Sequence, residues 1–287
     1  MLIYQCAETT PFHIQMMGYV FRADDGTLMV MDGGNYGDGP HLLQVLKHLS
    51  GSEKPHVAVW LMTHIHSDHV DAFRYLTENC PDAFNVGKVV HAFPGLGYVE
   101  AGEPGEAHTL REWNTLQPIL SERCEVLRLS EGDVIEQSGI RFTVLQVPDE
   151  QPKSNVINNA STVFRMEYGS QSALFLGDLG VEGGQRLLAK HGSRLKSDIV
   201  EMAHHGQNGV EKAVYAAVSP EVCLWNAPIW LWQNDPGKGY GTGPWRTLEV
   251  REWIRSLGDA RHVGIWEGDR SLWLKDGRIL ICPEKAV

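Results

Sequence analysis

Val57-Ala58-Val59-Trp60-Leu61-Met62-Thr63-His64-Ile65-His66-Ser67-Asp68-His69 is the stretch on which the reading of this chain turns. Its first half is an unbroken apolar run rich in valine and bulky side chains, as in a strand buried on both faces. Its second half sets three imidazoles and a carboxylate where that strand ends and the chain turns. Loop ends held by a rigid sheet are where functional side chains collect. His64 and His66 are two residues apart, so in an extended segment both leave the same side. Asp68 and His69 open a helix through Leu76 and point at a second position nearby. Neutral imidazole and carboxylate are the ligands that zinc and similar divalent ions prefer. Four such groups exceed what one catalytic ion takes from so short a segment, so the pattern implies two adjacent ions. An exposed polar turn that happens to be histidine-rich is the bland alternative, and the full H-x-H-x-D-H spacing behind a buried strand weighs against it.

Upstream, Phe12 to Arg22 and Thr27 to Met31 read as strands joined by Ala23-Asp24-Asp25-Gly26, with Asp-Gly as the hairpin cue. The second strand runs into Asp32-Gly33-Gly34, and a surface helix is expected over His41 to Leu49, stopping at Ser50-Gly51. Downstream, a strand is expected over Val86 to Phe93, a loop to Gly105 and an amphipathic helix over Glu106 to Arg123. Short strands follow between Glu125 and Val147, then a loop from Pro148 to Asn159. Two more strands, 161–168 and 172–176, end in Gly177-Asp178. A helix near 182–191 leads to a strand, 198–203, that ends in His204-His205-Gly206. Ligand-type residues at successive strand ends fit two sheets packed face to face with helices outside. No domain boundary or internal repeat is visible.

With 287 residues and 43% hydrophobic content the chain can bury a large core. No apolar run reaches the length of a membrane helix, and the N-terminus lacks the pattern of a secretory signal. Five scattered cysteines with no C-x-x-C pair suit a reducing cytoplasm. The formal charge of −11, without a lysine/arginine cluster, argues against tight nucleic-acid binding, which leans on basic surface. A small-molecule or phosphoester substrate is the expected partner, with no membrane partner; the oligomeric state is not readable.

HIHSDH resembles the metal-binding signature of the metallo-β-lactamase superfamily. The resemblance implies an α+β fold, a four-layer αββα sandwich, in one hydrolase domain over 1–287. It implies two divalent ions, zinc first and manganese or iron as alternatives. It makes His64, His66, Asp68 and His69 metal ligands, with Asp68 also a proton acceptor. Asp178 matches the family's bridging aspartate at a Gly-Asp strand end. One of His204 and His205 then closes the second ion's shell; the reading leans to His204, with His205 in a catalytic or substrate role. Asp32 matches an aspartate that orders the loop beside the metals without binding them, an ordinary polar turn being the alternative.

The stretch NNASTVFRMEYGSQSALFLGDLG, followed by SDIVEMAHHG, is similar to the hydrolase-like domain of the ComEC DNA-uptake proteins and to stand-alone relatives, including phosphorylcholine esterase-like enzymes. The similarity spans roughly residues 12 to 225. Two departures stand out. Where many members carry another histidine ligand, this chain reads Asn155-Val156-Ile157-Asn158-Asn159, so Asn158 or Asn159 is a candidate for orienting substrate or water. Where the subgroup often has Tyr-Gly-His-Pro, this chain has Tyr240-Gly241-Thr242-Gly243-Pro244.

Trp225, Trp230, Trp232 and Trp245 bracket a turn-rich stretch. Trp230, Trp232 and Tyr240 are candidates for a pocket wall over 225–245 that binds an apolar or quaternary ammonium group; core filling is the plainer alternative. Trp253, Trp266 and Trp273 read as core. The function implied is hydrolysis by a metal-bound hydroxide, first of a phosphodiester or phosphate ester. The alternatives are a lactam, lactone or thioester, and a non-catalytic or redox metal-binding role.

Overall fold

The apolar run before the histidines forms a strand, His56–Leu61, paired in parallel with a neighbour on each side. Pairing on both edges and packing on both faces explain why no position in it alternates to a charged residue. The computed structural model describes residues 1–9 and 14–283. In chain order its first half contains β1 (Leu2–Gln5), β2 (Gly18–Arg22), β3 (Leu28–Asp32), α1 (Gly39–Ser50), β4 (His56–Leu61), α2 (Ser67–Asn79), β5 (Asn85–His91), α3 (Leu96–Gly102), α4 (Ala107–Ser121) and β6 (Glu125–Arg128). The second half contains β7 (Val134–Gln137), β8 (Ile140–Gln146), α5 (Val156–Asn159), β9 (Val163–Tyr168), β10 (Gln171–Phe175), α6 (Val181–His191), β11 (Ile199–Glu201), α7 (Lys212–Val218), β12 (Val222–Trp225), α8 (Ile229–Trp232), α9 (Thr247–Leu257) and β13 (Arg261–Gly264). The chain then returns with β14 (Arg270–Lys275) and β15 (Arg278–Pro283).

Two sheets result, ordered β15-β14-β1-β2-β3-β4-β5-β6 and β13-β12-β11-β10-β9-β8-β7. Each is antiparallel over one part and parallel over the other, β3 to β6 in the first sheet and β10 to β13 in the second. Their inner faces share one core, in which Tyr19, Phe21 and Leu61 meet Phe142, Phe175 and Leu224. Phe21 packs edge-on against Phe142 and Phe175, with centroids 5.1 and 5.5 Å apart, the preferred aromatic geometry. Outside the first sheet, Val45, Phe73 and Trp113 of three helices cover Val30 and Trp60. Outside the second, Leu187, Val214 and Ile254 cover Leu174 and Val200. The architecture is the expected four-layer αββα sandwich.

Three local expectations change. The strand expected from Phe12 begins at Gly18, and Phe12 itself lies outside the described residues. The loops expected at 94–105 and 148–159 contain the short helices α3 and α5. Both carry apolar residues, Val99, Val156 and Ile157, that bury in the first helical layer, and this packing outweighs a weak local signal. Trp273, read as core, lies on β14 and is 38% exposed. Cys6, Cys80, Cys124, Cys223 and Cys282 are all free thiols. No helix among the described residues is long and apolar enough to cross a membrane.

Candidate metal centre

Parallel strands leave their carboxyl ends side by side, and the candidate residues sit on those ends in both sheets. β4 leads into Thr63–His66, and α2 begins one residue later with His66 as its extended N-cap. His69 is therefore turned inward on the first helical turn and is fully buried. From the other sheet, β10 runs into Gly177-Asp178 and β11 into His204-His205. The two ends meet where Thr162 N–H donates to the Thr63 carbonyl at 2.8 Å, and within the second sheet His204 N–H donates to the Gly177 carbonyl at 2.9 Å. Gly177 has φ +54°, and a Cβ there would lie 3.0 Å from Thr63 Cβ and 3.1 Å from Ser161 Oγ. Only glycine fits that contact.

Two sets of ligand-type atoms converge, each within 4.8 Å: Asp68, His69, Asp178 and His205, and His64, His66 and Asp178. Asp178 belongs to both. Its Oδ1 lies 3.2 Å from His69 Nε2, and its Oδ2 lies 3.5 Å from His205 Nε2 and 3.9 Å from His64 Nε2. His205 Nε2 is also 3.2 Å from Asp68 Oδ2, and His64 Nε2 is 3.1 Å from His66 Nδ1.

Each inward imidazole is fixed from behind. His69 Nδ1 is 2.7 Å from Asp32 Oδ2, His205 Nδ1 is 2.9 Å from the Asn226 carbonyl, and His64 Nδ1 is 3.1 Å from Thr63 Oγ1. Such outer contacts orient the ring and leave the other nitrogen for a central ion. Asp32 also accepts from Thr63 N–H at 2.8 Å and Thr63 Oγ1 at 2.7 Å, so it ties the turn together without facing the centre.

The electrostatics fit a cationic occupant. Burial opposes charge on Asp68 and Asp178, yet the surrounding imidazoles outweigh it and hold both carboxyls well below their ordinary range. Burial likewise opposes charge on His205, but Asp178 and Asp68 push it up to about 10. Burial, then His69, drives His64 well below its usual value, leaving a neutral lone pair. His69 Nε2, His205 Nε2 and Asp178 Oδ1 are buried and have no hydrogen-bond partner. Buried polar atoms are normally paired; here the unpaired ones face a shared point. The donor set fits divalent ions.

The sequence reading leaned to His204 as the ligand; the structure brings His205 into the group with Asp68, His69 and Asp178. His204 and His205 both have left-handed backbones, φ 52° and 56°, a strain that clusters at functional sites. The turn buries His205 completely among Asp68 and Asp178, while His204 keeps 17% side-chain exposure at 3.6 Å from Asp178. The other candidates fall elsewhere. Asn159 is used internally: its amide holds Ser154 and Glu182, and its carbonyl oxygen accepts from Gly183 N–H. Asn158 donates to Asn155 Oδ1 at 2.7 Å, and its own Oδ1 is buried without a partner. Trp232 stacks on Trp266 at 4.1 Å and has the Arg251 guanidinium 3.9 Å from its ring centroid, and Trp230 packs edge-on to Trp245. Tyr240 is 64% exposed. Sequence reasoning gave no role to Thr63, Ser161 and Asn226, ordinary polar residues whose only signal is that each stands beside a strand end.

Compared with solved structures, the chain superposes on the metallo-beta-lactamase fold protein YhfI from Bacillus subtilis over 93% of its own length and 98% of that chain, with TM-score 0.56 and 10% identity. This is the metallo-β-lactamase fold. Zn(2+)-bound PqqB from Methylobacterium extorquens matches over 92% of this chain and 98% of its own, with TM-score 0.55 and 10% identity. CmlA, a diiron beta-hydroxylase from Streptomyces venezuelae, matches over 95% of this chain and 54% of its own, with TM-score 0.53 and 13% identity. By sequence the chain is similar to ComE operon protein 3 of Bacillus subtilis, 28% identical over 149 residues, or 52% of this chain and 17% of that protein. It is also similar to Competence protein ComA of Neisseria gonorrhoeae, 37% identical over 87 residues, or 30% of this chain and 12% of that protein. The matches thus span less than a fifth of either relative's length. No family model matches the chain.

Proposed function

We propose that this chain is a hydrolase dependent on two divalent ions, zinc first, that cleaves a phosphodiester or phosphate ester. The observation that carries the reading is Asp178, one buried carboxylate shared by two convergent ligand sets. His64, His66 and Asp178 would hold one ion, and Asp68, His69, Asp178 and His205 the other. Bound ions would supply Lewis acidity, acidifying water and neutralising charge on a phosphoryl group. The chain's own residues do the rest. Asp32, Thr63 and the Asn226 carbonyl keep the imidazoles aimed. Asp68, close to His205 and partly open to solvent, takes up the proton that the attacking water releases. His204, at the rim, contacts the substrate. The ComEC-like resemblance favours a phosphorus ester over a carbonyl substrate. The net charge of −11 favours a small ester over a long nucleic acid.

The test is hydrolysis of bis-p-nitrophenyl phosphate by zinc- and manganese-loaded protein, beside a chromogenic lactam and a thioester. Phosphodiester turnover that disappears in His66→Ala and His205→Ala supports the reading. Turnover of the lactam or thioester alone replaces the substrate class, and undiminished turnover in both variants removes the centre from the chemistry.

A further inference from the structure

Asp178 is not placed by the sheet that carries it. β10 ends at Phe175, and the next three backbone N–H groups all donate to side chains. Leu176 N–H and Gly177 N–H both go to Glu201 Oε1, at 3.0 and 2.6 Å. Asp178 N–H goes to Ser161 Oγ at 3.1 Å. Buried N–H groups must be paired, and at this point the parallel ladder with β11 has stopped, its last paired residues being Leu174 and Val200. A single carboxyl oxygen therefore closes the strand end where Gly177 turns left-handed and Asp178 leaves it.

We propose that Glu201 is the positioning residue for Asp178. It sets the turn that aims the shared carboxylate, as Asp32 sets the turn that aims His69. The proposal deepens the two-ion reading and rests on it for the metal readout alone. Glu201 is 1% exposed. Burial, then the charge of Asp32, pushes its carboxyl up to about 8, so at neutral pH it is largely protonated and glutamine is its near isostere. Glutamine keeps an oxygen acceptor of the same reach, whereas leucine fills the space and offers none.

Two measurements on the full chain test this: amide exchange of Leu176 and Gly177 by NMR in metal-free protein, and zinc affinity by calorimetry. In Glu201→Leu, exchange at both amides should speed up by about tenfold or more, and zinc should bind about 10–100-fold more weakly, the range for loss of an outer partner. Glu201→Gln should hold both within about threefold of wild type. Should Glu201→Leu not fold, Glu201→Asp carries the same expectation, because it withdraws the acceptor by one methylene. A folded Glu201→Leu or Glu201→Asp protein with unchanged exchange and affinity overturns the proposal, as does a Glu201→Gln protein that loses as much as Glu201→Leu. A wild-type chain that takes up no zinc would sink the two-ion reading and leave the exchange rates to judge Glu201.

Discussion

The two halves of the centre reach the same kind of geometry by different means. In the first, from the sheet containing β4, ligand-type residues and support are packed into one turn: His64, His66, Asp68 and His69 leave adjacent positions, and Asp32 braces Thr63 and His69 from the next strand. In the second, each part comes from a different element. Asp178 follows β10, His205 follows β11, the Asn226 carbonyl follows β12, and Ser161 lies ahead of β9. A contiguous half-site is fixed by local backbone geometry. A dispersed one is fixed only once the sheet is assembled, and it needs buried side chains as adhesive.

The comparison can be broken most forcefully at Asp178, the carboxylate of the second half that both ligand sets share. Asp178→Asn keeps the shape and removes the charge, so it should cost at least about a hundredfold in kcat/KM on the phosphodiester, more than loss of an outer partner costs. Retained activity with retained metal content would mean that the halves work independently. Next in size is Asp32→Ala, which frees His69. Because Asp32 also holds Thr63, the neighbour that braces His64, zinc affinity should fall about 10–100-fold at both ligand sets, read by titration calorimetry. Weakening confined to one step would show that the first half is not the self-contained unit described above.

A last test, on stability rather than on the centre, contrasts a buried imidazole that has carboxylates with one that has none. His91, 5% exposed at the end of β5, accepts from Phe93 N–H. Burial, then Arg128, lowers it to about 4, the opposite direction from His205. A histidine whose folded value lies below its unfolded value of about 6.5 binds protons better when unfolded. Its contribution is therefore complete above pH 6.5 and is lost as pH falls from 6.5 toward 4. Between those limits the wild type should lose about 3 kcal/mol more stability than His91→Gln, measured by urea melts of metal-free protein. Parallel pH curves for the two proteins would refute it.

How much was legible follows the same division. The HIHSDH turn, its strand and its helix could be read because regular backbone converts spacing into direction. The ends of the second sheet could be located, since Gly177-Asp178 and His204-His205 close apolar runs. Which of the two histidines turns inward could not be read, because consecutive left-handed residues break the relation between spacing and direction. Glu201, Ser161 and Asn226 carry no local mark; their roles exist only where strands distant in sequence lie side by side. The tryptophan-rich stretch left a lid and core filling both open, since aromatic density looks the same in each; Trp232 is half-buried, stacked on Trp266 against the core.

The division of the centre between two sheets also fixes when it can form. Contacts such as Thr162 with Thr63 or His205 with Asp68 join residues about a hundred or more positions apart, and contacts of such long range are made late on the folding route. Both full ligand sets need Asp178 from the second sheet, so ions would gain their complete shell only once the sandwich has closed. They should leave the refolding rate nearly untouched and slow the opening of the native protein instead, acting as a latch rather than a template.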